Sequence, residues 1–134
     1  MGDLTRIGVA IDQDLLGDFD RLIARRGYGS RSEAFRDLIR DALVQDRAAA
    51  PQAEVVGTLT LVYDHHVRQL QERLTHMQHE HHTEIISTLH VHLDHHHCLE
   101  VLVLRGKSAR VRQIADRLIA TKGVQHGRLT LTSP

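Results

Sequence analysis

The chain has 134 residues, of which 41% are hydrophobic, 25% charged and 3% aromatic, and its formal net charge is zero with histidine neutral. That length fits one ordinary domain or two very small ones, and the composition is that of a globular protein rather than a disordered or membrane one. Balanced charge argues neither for nor against a nucleic-acid partner, but with no tryptophan single-strand binding by base stacking is not expected. The one cysteine rules out an internal disulfide and suits a reducing compartment. The opening Met-Gly-Asp-Leu-Thr-Arg lacks the character of a signal peptide, and no apolar run approaches a membrane span, so a cytoplasmic location is expected.

From Arg6 to Ile11 the apolar residues Ile7, Val9 and Ile11 alternate with Arg6, Gly8 and Ala10, which predicts a short strand with one apolar side. Asp12 is placed to cap a helix whose stripe is Leu15, Leu16, Phe19, Leu22 and Ile23, closed by Gly27. Ser30-Arg31-Ser32-Glu33 reads as a capping box, and Phe35, Leu38, Ile39, Ala42 and Leu43 carry a second amphipathic helix to about Gln45. A strand and two helices in about 45 residues bury too little surface to stand alone, so a dimer is expected. Pairing the strand with its twin gives an antiparallel ribbon of the kind that enters a DNA major groove, the ribbon-helix-helix (βαα) architecture.

In that reading Arg6, Gly8 and Ala10 face the bases. The start of the second helix offers backbone N–H groups and the Ser30 and Ser32 hydroxyls to a phosphate. Residues 1–53 hold eight Lys and Arg against nine Asp and Glu, and Gly8 and Ala10 have no side chain that hydrogen-bonds a base. A plain dimerisation module is therefore the competing reading of this half.

Gln45 to Ala53, with Ala48-Ala49-Ala50-Pro51, reads as a linker and places two domains at residues 1–47 and 54–134. Beyond it the pattern predicts a strand over Glu54 to Tyr63 and a helix from His65 to about His82, with Val67, Leu70, Leu74 and Met77 inward. Strands follow over Ile86 to Asp94 and Cys98 to Arg105. A helix over Ser108 to Lys122, built on Val111, Ile114, Ala115, Leu118 and Ile119, ends at Gly123, and Val124 to Thr132 is the last strand. Strand-helix-strand-strand-helix-strand is a ferredoxin-like βαββαβ unit, with both helices on one face of a four-stranded sheet, so the whole chain is α+β.

The chemistry concentrates in Thr-Leu-His-Val-His-Leu-Asp-His-His-His-Cys, residues 88–98, within a region, His65 to His97, that carries eleven of the twelve histidines. Period two puts His90 and His92 on one strand face, and a hairpin returns Cys98 beside His92. With Leu89, Val91 and Leu93 taken as facing the helices, the two imidazoles face the bare side of the sheet. His76, His79, His81 and His82 then lie on the far side, and a fourth ligand is more easily supplied by a second copy. A site closed by four protein ligands favours sensing or structure over catalysis. Mixed nitrogen and thiolate ligation suits Zn, Cu or Ni, and spacing does not choose among them. With no paired acids, activated nucleophile or open metal position in view, an enzyme is not expected.

Arg-Ser-Glu-Ala-Phe-Arg-Asp-Leu (31–38), Thr-Leu-His-Val-His-Leu-Asp-His-His-His-Cys-Leu-Glu (88–100) and Gly-Val-Gln-His-Gly (123–127) together resemble the nickel-responsive transcriptional regulators, the NikR family, over nearly the whole chain. The resemblance implies a homotetramer in which two ribbon-helix-helix dimers flank four ACT-like regulatory domains. It implies a repressor of nickel uptake that binds a palindromic operator when nickel is present. It further implies one square-planar Ni(II) per subunit on His90, His92 and Cys98 with His79 of another subunit, and it gives Gln78 and Glu100 the role of orienting ligands. A second cation, potassium, is implied at Glu33 and Asp37 when DNA is bound. Gly8 and Ala10 depart from the polar residues common in the family, which puts more weight on Arg6 and on phosphate contacts.

The mechanism expected is a population shift: residues 65–82 become ordered when His79 joins a neighbour's hairpin, placing Arg68 against the DNA backbone. The main alternative is a histidine-rich metal buffer or store with several weak sites and no operator. A metal-independent regulator or antitoxin-like dimer would make Cys98 dispensable.

Overall fold

The computed structural model describes residues 2–133. The chain divides into two compact units with the boundary between Asp41 and Ala42, inside a helix.

In the first unit, helix α1 (Gln13–Arg25) starts where Asp12 Oδ1 accepts from Leu15 N at 2.9 Å. It ends in a Schellman turn: Gly27 has φ +81°, Gly27 N donates to Ala24 O and Tyr28 N to Ile23 O. A residue with a Cβ is strained in that left-handed position, which is why glycine stands there. Helix α2 (Arg31–Ala49) opens with Glu33 N donating to Ser30 Oγ at 3.2 Å, while Glu33 Oε2 accepts from Gly29 N at 3.0 Å. The capping box thus forms, with its carboxylate reaching one residue past the expected amide. Phe19 and Phe35 stack at 5.0 Å, and Ile23 and Ala34 are buried.

Residues 2–12 form no strand within the chain, and Leu4, Ile7 and Val9 are exposed. The reason is physical: a ribbon strand has no ladder partner inside its own chain, so its alternating pattern is satisfied only by a second copy. Leu15, Leu38, Ile39 and Leu43 are likewise exposed, although they lie on the apolar stripes.

Helix α2 runs about four residues past Gln45 into the expected linker, because the alanines there are strong helix formers. The last turn of α2 and the segment after it dock on the second unit's own core. Ser108 N donates to Ala53 O at 2.8 Å, Ala109 N to Pro51 O at 3.0 Å, and the Ser108 hydroxyl to Ala48 O.

The second unit contains β1 (Glu54–Asp64), α3 (Leu70–Glu80), β2 (Ile85–His92), β3 (His97–Lys107), α4 (Ser108–Ile119) and β4 (Val124–Thr132). Its sheet is antiparallel in the order β2-β3-β1-β4, the expected ferredoxin-like topology. The core joins Val55, Leu59, Leu61 and Tyr63 of β1 and Cys98, Leu102 and Leu104 of β3. Leu70 and Leu74 of α3 and Val111, Ile114, Ala115 and Leu118 of α4 complete it. Gly127 lets α4 press on the sheet: a Cβ there would come within 2.5 Å of Ile119 Cγ1.

Two expectations are corrected. Residues 65–69 are a turn rather than the first turn of α3, because Asp64 Oδ1 captures the His66 amide at 2.8 Å and Gln69 adopts a left-handed φ of +64°. Val67 is accordingly exposed rather than inward.

The faces of β2 are also the reverse of those expected. Directly paired residues on neighbouring strands share a face, and His92 pairs with Cys98 and His90 with Glu100. Cys98 and Glu100 are buried in the helix-covered layer. His90 and His92 therefore face the helices, while Leu89, Val91 and Leu93 are exposed on the bare side. Period two distinguishes the faces of an edge strand without saying which one the helices cover.

Candidate metal centre

The hairpin between β2 and β3 sets the geometry. Leu93 N donates to His97 O at 2.9 Å, and Asp94 Oδ1 accepts from the amides of His96 and His97, both at 2.8 Å. The His97 imidazole beside it at 2.9 Å, reinforced by those two amides, holds the Asp94 carboxyl well below the usual carboxylate range. This turn brings Cys98 directly opposite His92.

Cys98 Sγ lies 3.4 Å from His92 Nδ1 and 3.2 Å from His65 Nδ1, and the donors of these three residues lie within 4.8 Å of one another. Metal bonds of about 2.3 Å to sulfur and 2.0 Å to nitrogen place donors of one ion roughly 3.1–3.5 Å apart. The cluster is thus spaced for a single ion. Burial pushes the Cys98 thiol up, with the charges of Glu100, Asp64 and Asp94 adding to it. Burial, then the neighbouring His66 and His92, lowers the His65 pKa and so favours its neutral, ligating form.

His90 stands beside this group, its ring 5.2 Å from that of His92. Its Nδ1 is 3.5 Å from the Tyr63 hydroxyl and 4.0 Å from Glu100 Oε1. Its Nε2 is buried with no hydrogen-bond partner, as is Glu100 Oε2. A buried nitrogen without a partner is costly unless something else binds it, and a metal ion answers that need. Burial raises the Glu100 pKa, against the opposing influence of Gln78, His90 and Tyr63. Burial and the Glu100 charge likewise push the Tyr63 phenol up.

His79 stands apart, exposed in the last turn of α3. The expectation that α3 lies across the sheet from His90 and His92 is corrected. Thr88, on their side of β2, donates to Gln78 Oε1 at 3.3 Å, so α3 covers the same face. His65 was not among the sequence-derived ligands. Its one signal is phase: it lies two residues beyond Tyr63, which pairs with Cys98.

The remaining candidates are scattered. Arg6, Gly8 and Ala10 are exposed in the segment without a ladder, Ser30 caps α2, Ser32 is exposed in its first turn, and Arg68 is exposed in the turn before α3. Glu33 and Asp37 line one surface pocket with Gly27, Tyr28, Arg36 and Arg40. Asp37 is engaged by Arg40 and by the Tyr28 hydroxyl at 2.9 Å, which lower its pKa in that order.

Two small amphipathic helices preceded by an unpaired alternating segment, joined to a ferredoxin-like sheet that gathers imidazoles around a buried thiol, define a metal-binding regulator of the ribbon-helix-helix class. Residues 5–46 match the family profile described as ribbon-helix-helix protein, copG family, and residues 56–132 match the NikR C terminal nickel binding domain. A provisionally named nickel-responsive regulator of Solibacter usitatus is 67% identical over 133 residues, 99% of this chain and 96% of the relative. Proteins with the same provisional name from Trichlorobacter lovleyi and Geobacter metallireducens are 61% and 59% identical over the same shares. The chain belongs to the NikR family of nickel-responsive regulators.

Proposed function

We propose that this protein represses nickel uptake by binding a palindromic DNA operator, as a homotetramer, when one Ni(II) per subunit is held by His90, His92 and Cys98 with His79 of another copy. The observation that carries it is the direct pairing of His92 with Cys98 beside His90, whose buried Nε2 has no partner. Bound there, Ni(II) supplies a fixed link between two copies. Cys98 gives up its thiol proton and His90 offers its unpaired nitrogen. Glu100 steadies His90 and Gln78 in turn holds Glu100, while His79, exposed on α3, is free to reach a neighbour.

Residues 54–134 form the sensing domain in this reading, and residues 1–47 the DNA-reading one. Arg6, with Gly8 and Ala10, faces the bases on a ribbon paired between two copies. Ser30, Ser32 and Arg68 meet the phosphates. Glu33 and Asp37 hold K+ once Asp37 exchanges Arg40 for the cation. The bare sheet face, with Leu89 and Val91 exposed and Leu99, Val101 and Val103 half-buried, is covered by another copy. The protein acts in the cytoplasm, and no helix of the described residues is long and apolar enough to cross a membrane.

The test is a nickel titration of metal-free protein by absorption spectroscopy, beside Cys98→Ala, followed by operator binding with and without nickel. One tight equivalent per chain, a thiolate-to-nickel band lost in the variant, and nickel-dependent operator binding are expected. Weak, multiple, Cys98-independent binding would overturn the reading in favour of a histidine-rich buffer.

A further inference from the structure

Helix α3 carries His79, and its C-terminal end is fixed by contacts that use none of the proposed metal ligands. His81, the residue that closes α3, is only 5% exposed. Its carbonyl accepts from Glu84 N at 3.1 Å and from Ile85 N at 3.0 Å, which fixes the turn from α3 into β2. Its ring is enclosed by α4: Arg110 Nη2 lies 3.2 Å from Nδ1, and Arg117 Nη1 lies 3.3 Å from Nε2. The two arginines are seven residues apart, two turns of α4, and so share one face of that helix.

Each guanidinium is also held from its other side. Arg110 Nε lies 3.4 Å from Glu84 Oε1, and Arg117 Nη2 lies 3.9 Å from Glu80 Oε2. An imidazole offers at most one nitrogen lone pair and a guanidinium only donors, so the ring accepts from one arginine at a time while a glutamate keeps the other in place. The Thr121 hydroxyl adds a further tie to the same end of α3, donating to Met77 Sδ at 3.5 Å. Residues two apart on a helix lie about 200° round it. With His81 seated against α4, His79 is turned to the opposite side, where it is exposed and lines an open groove with Thr75 and His76.

We propose that Arg110 and Arg117 are positioning residues for nickel sensing: by seating His81 they set the rotation of the last turn of α3 and so aim His79 away from its own chain. The inference rests on the reading of His79 as the ligand given to another copy. Because the clamp uses no metal ligand, it acts before the ion arrives, and a ligand already aimed loses less freedom on binding. Ordering by nickel then concerns the front of residues 65–82, where Gln69 is left-handed and α3 begins without a side-chain cap.

The experiment is a double-mutant cycle on the full chain, read by competition titration of nickel followed at the thiolate-to-nickel absorption band. Arg110→Met/Arg117→Met removes both sets of donors and keeps the apolar stems, and both side chains are exposed, so the core stays closed. Nickel affinity is expected to fall about tenfold, the lower end of what groups that orient metal ligands typically govern. The same pair of changes made on His79→Ala is expected to cost nothing further, which a general loss of stability would not reproduce. Hydrogen exchange of the metal-free proteins reads the clamp without nickel: amides 77–82 are expected to exchange about tenfold faster or more in the methionine variant, with those of the sheet unchanged. Unchanged affinity and exchange in that variant, or an equal further loss on His79→Ala, would overturn the clamp. If His79→Ala alone leaves affinity unchanged, the proposed sensing site falls instead, and the exchange comparison still decides the clamp.

Discussion

His92 and Cys98 are direct cross-strand partners at the mouth of the β2–β3 hairpin, with Nδ1 3.4 Å from Sγ. The pairing makes the thiol part of a rigid ladder, and its burial keeps it protonated above the ordinary thiol range. Nickel binding must release that proton. Apparent nickel affinity is therefore expected to rise up to about tenfold per pH unit below the thiol pKa, since each pH unit is worth about 1.4 kcal/mol for one proton. Because that pKa is raised, the rise continues past the pH at which an ordinary cysteine would level off. Nickel titrations at several pH values check the slope, and flat affinity would mean that the thiol is not a ligand.

Asp94 shapes the hairpin through two amides and the His97 ring. Asp94→Ala frees these groups and loosens the placement of Cys98 opposite His92. Groups that orient metal ligands typically govern about 10–100-fold in affinity, and a loss of about tenfold is expected here in competition titrations. The fold itself is expected to persist, because Asp94 is exposed.

Gly127→Ala tests the packing of α4 on the sheet. The added Cβ would meet Ile119 at 2.5 Å and Leu61 at 3.1 Å. Overpacking of this kind costs typically about 1–3 kcal/mol, and urea denaturation of the metal-free protein is expected to show a lower midpoint with little change in slope.

Leu89→Lys changes a residue that is 60% exposed on the bare sheet face. Within one chain it removes no core contact, so the urea midpoint per chain is expected to hold. If that face joins copies, light scattering will show a smaller assembly, and an unchanged mass would place the interface elsewhere.

Arg6→Ala removes the one side chain on the expected base-reading strand face that can bind guanine through two hydrogen bonds, a contact worth about 1–3 kcal/mol. A drop of about tenfold or more in operator affinity is expected in fluorescence anisotropy, with nickel stoichiometry unchanged. Equal affinity and specificity would rule out reading by the ribbon.

Much of the fold was legible because it rests on local signals. The Asp12 cap, the Gly27 stop, the Ser30 and Glu33 capping pair and the period-two runs are each satisfied by neighbours within a few residues. Where a local competitor existed, the reading slipped. Asp64 captured the His66 amide and delayed α3 to Leu70, and the alanines after Gln45 prolonged α2 to Ala49.

The sequence by itself determined the order of elements, the shared face of His90 and His92 and the return of Cys98 beside them, since alternation and a short hairpin leave no other arrangement. Only the tertiary structure decided which face the helices cover, because alternation is symmetric and β2 is an edge strand with apolar residues on its bare side. It also decided that His65 joins Cys98. That contact spans 33 residues and depends on β1 pairing with β3, a long-range register that no local pattern encodes.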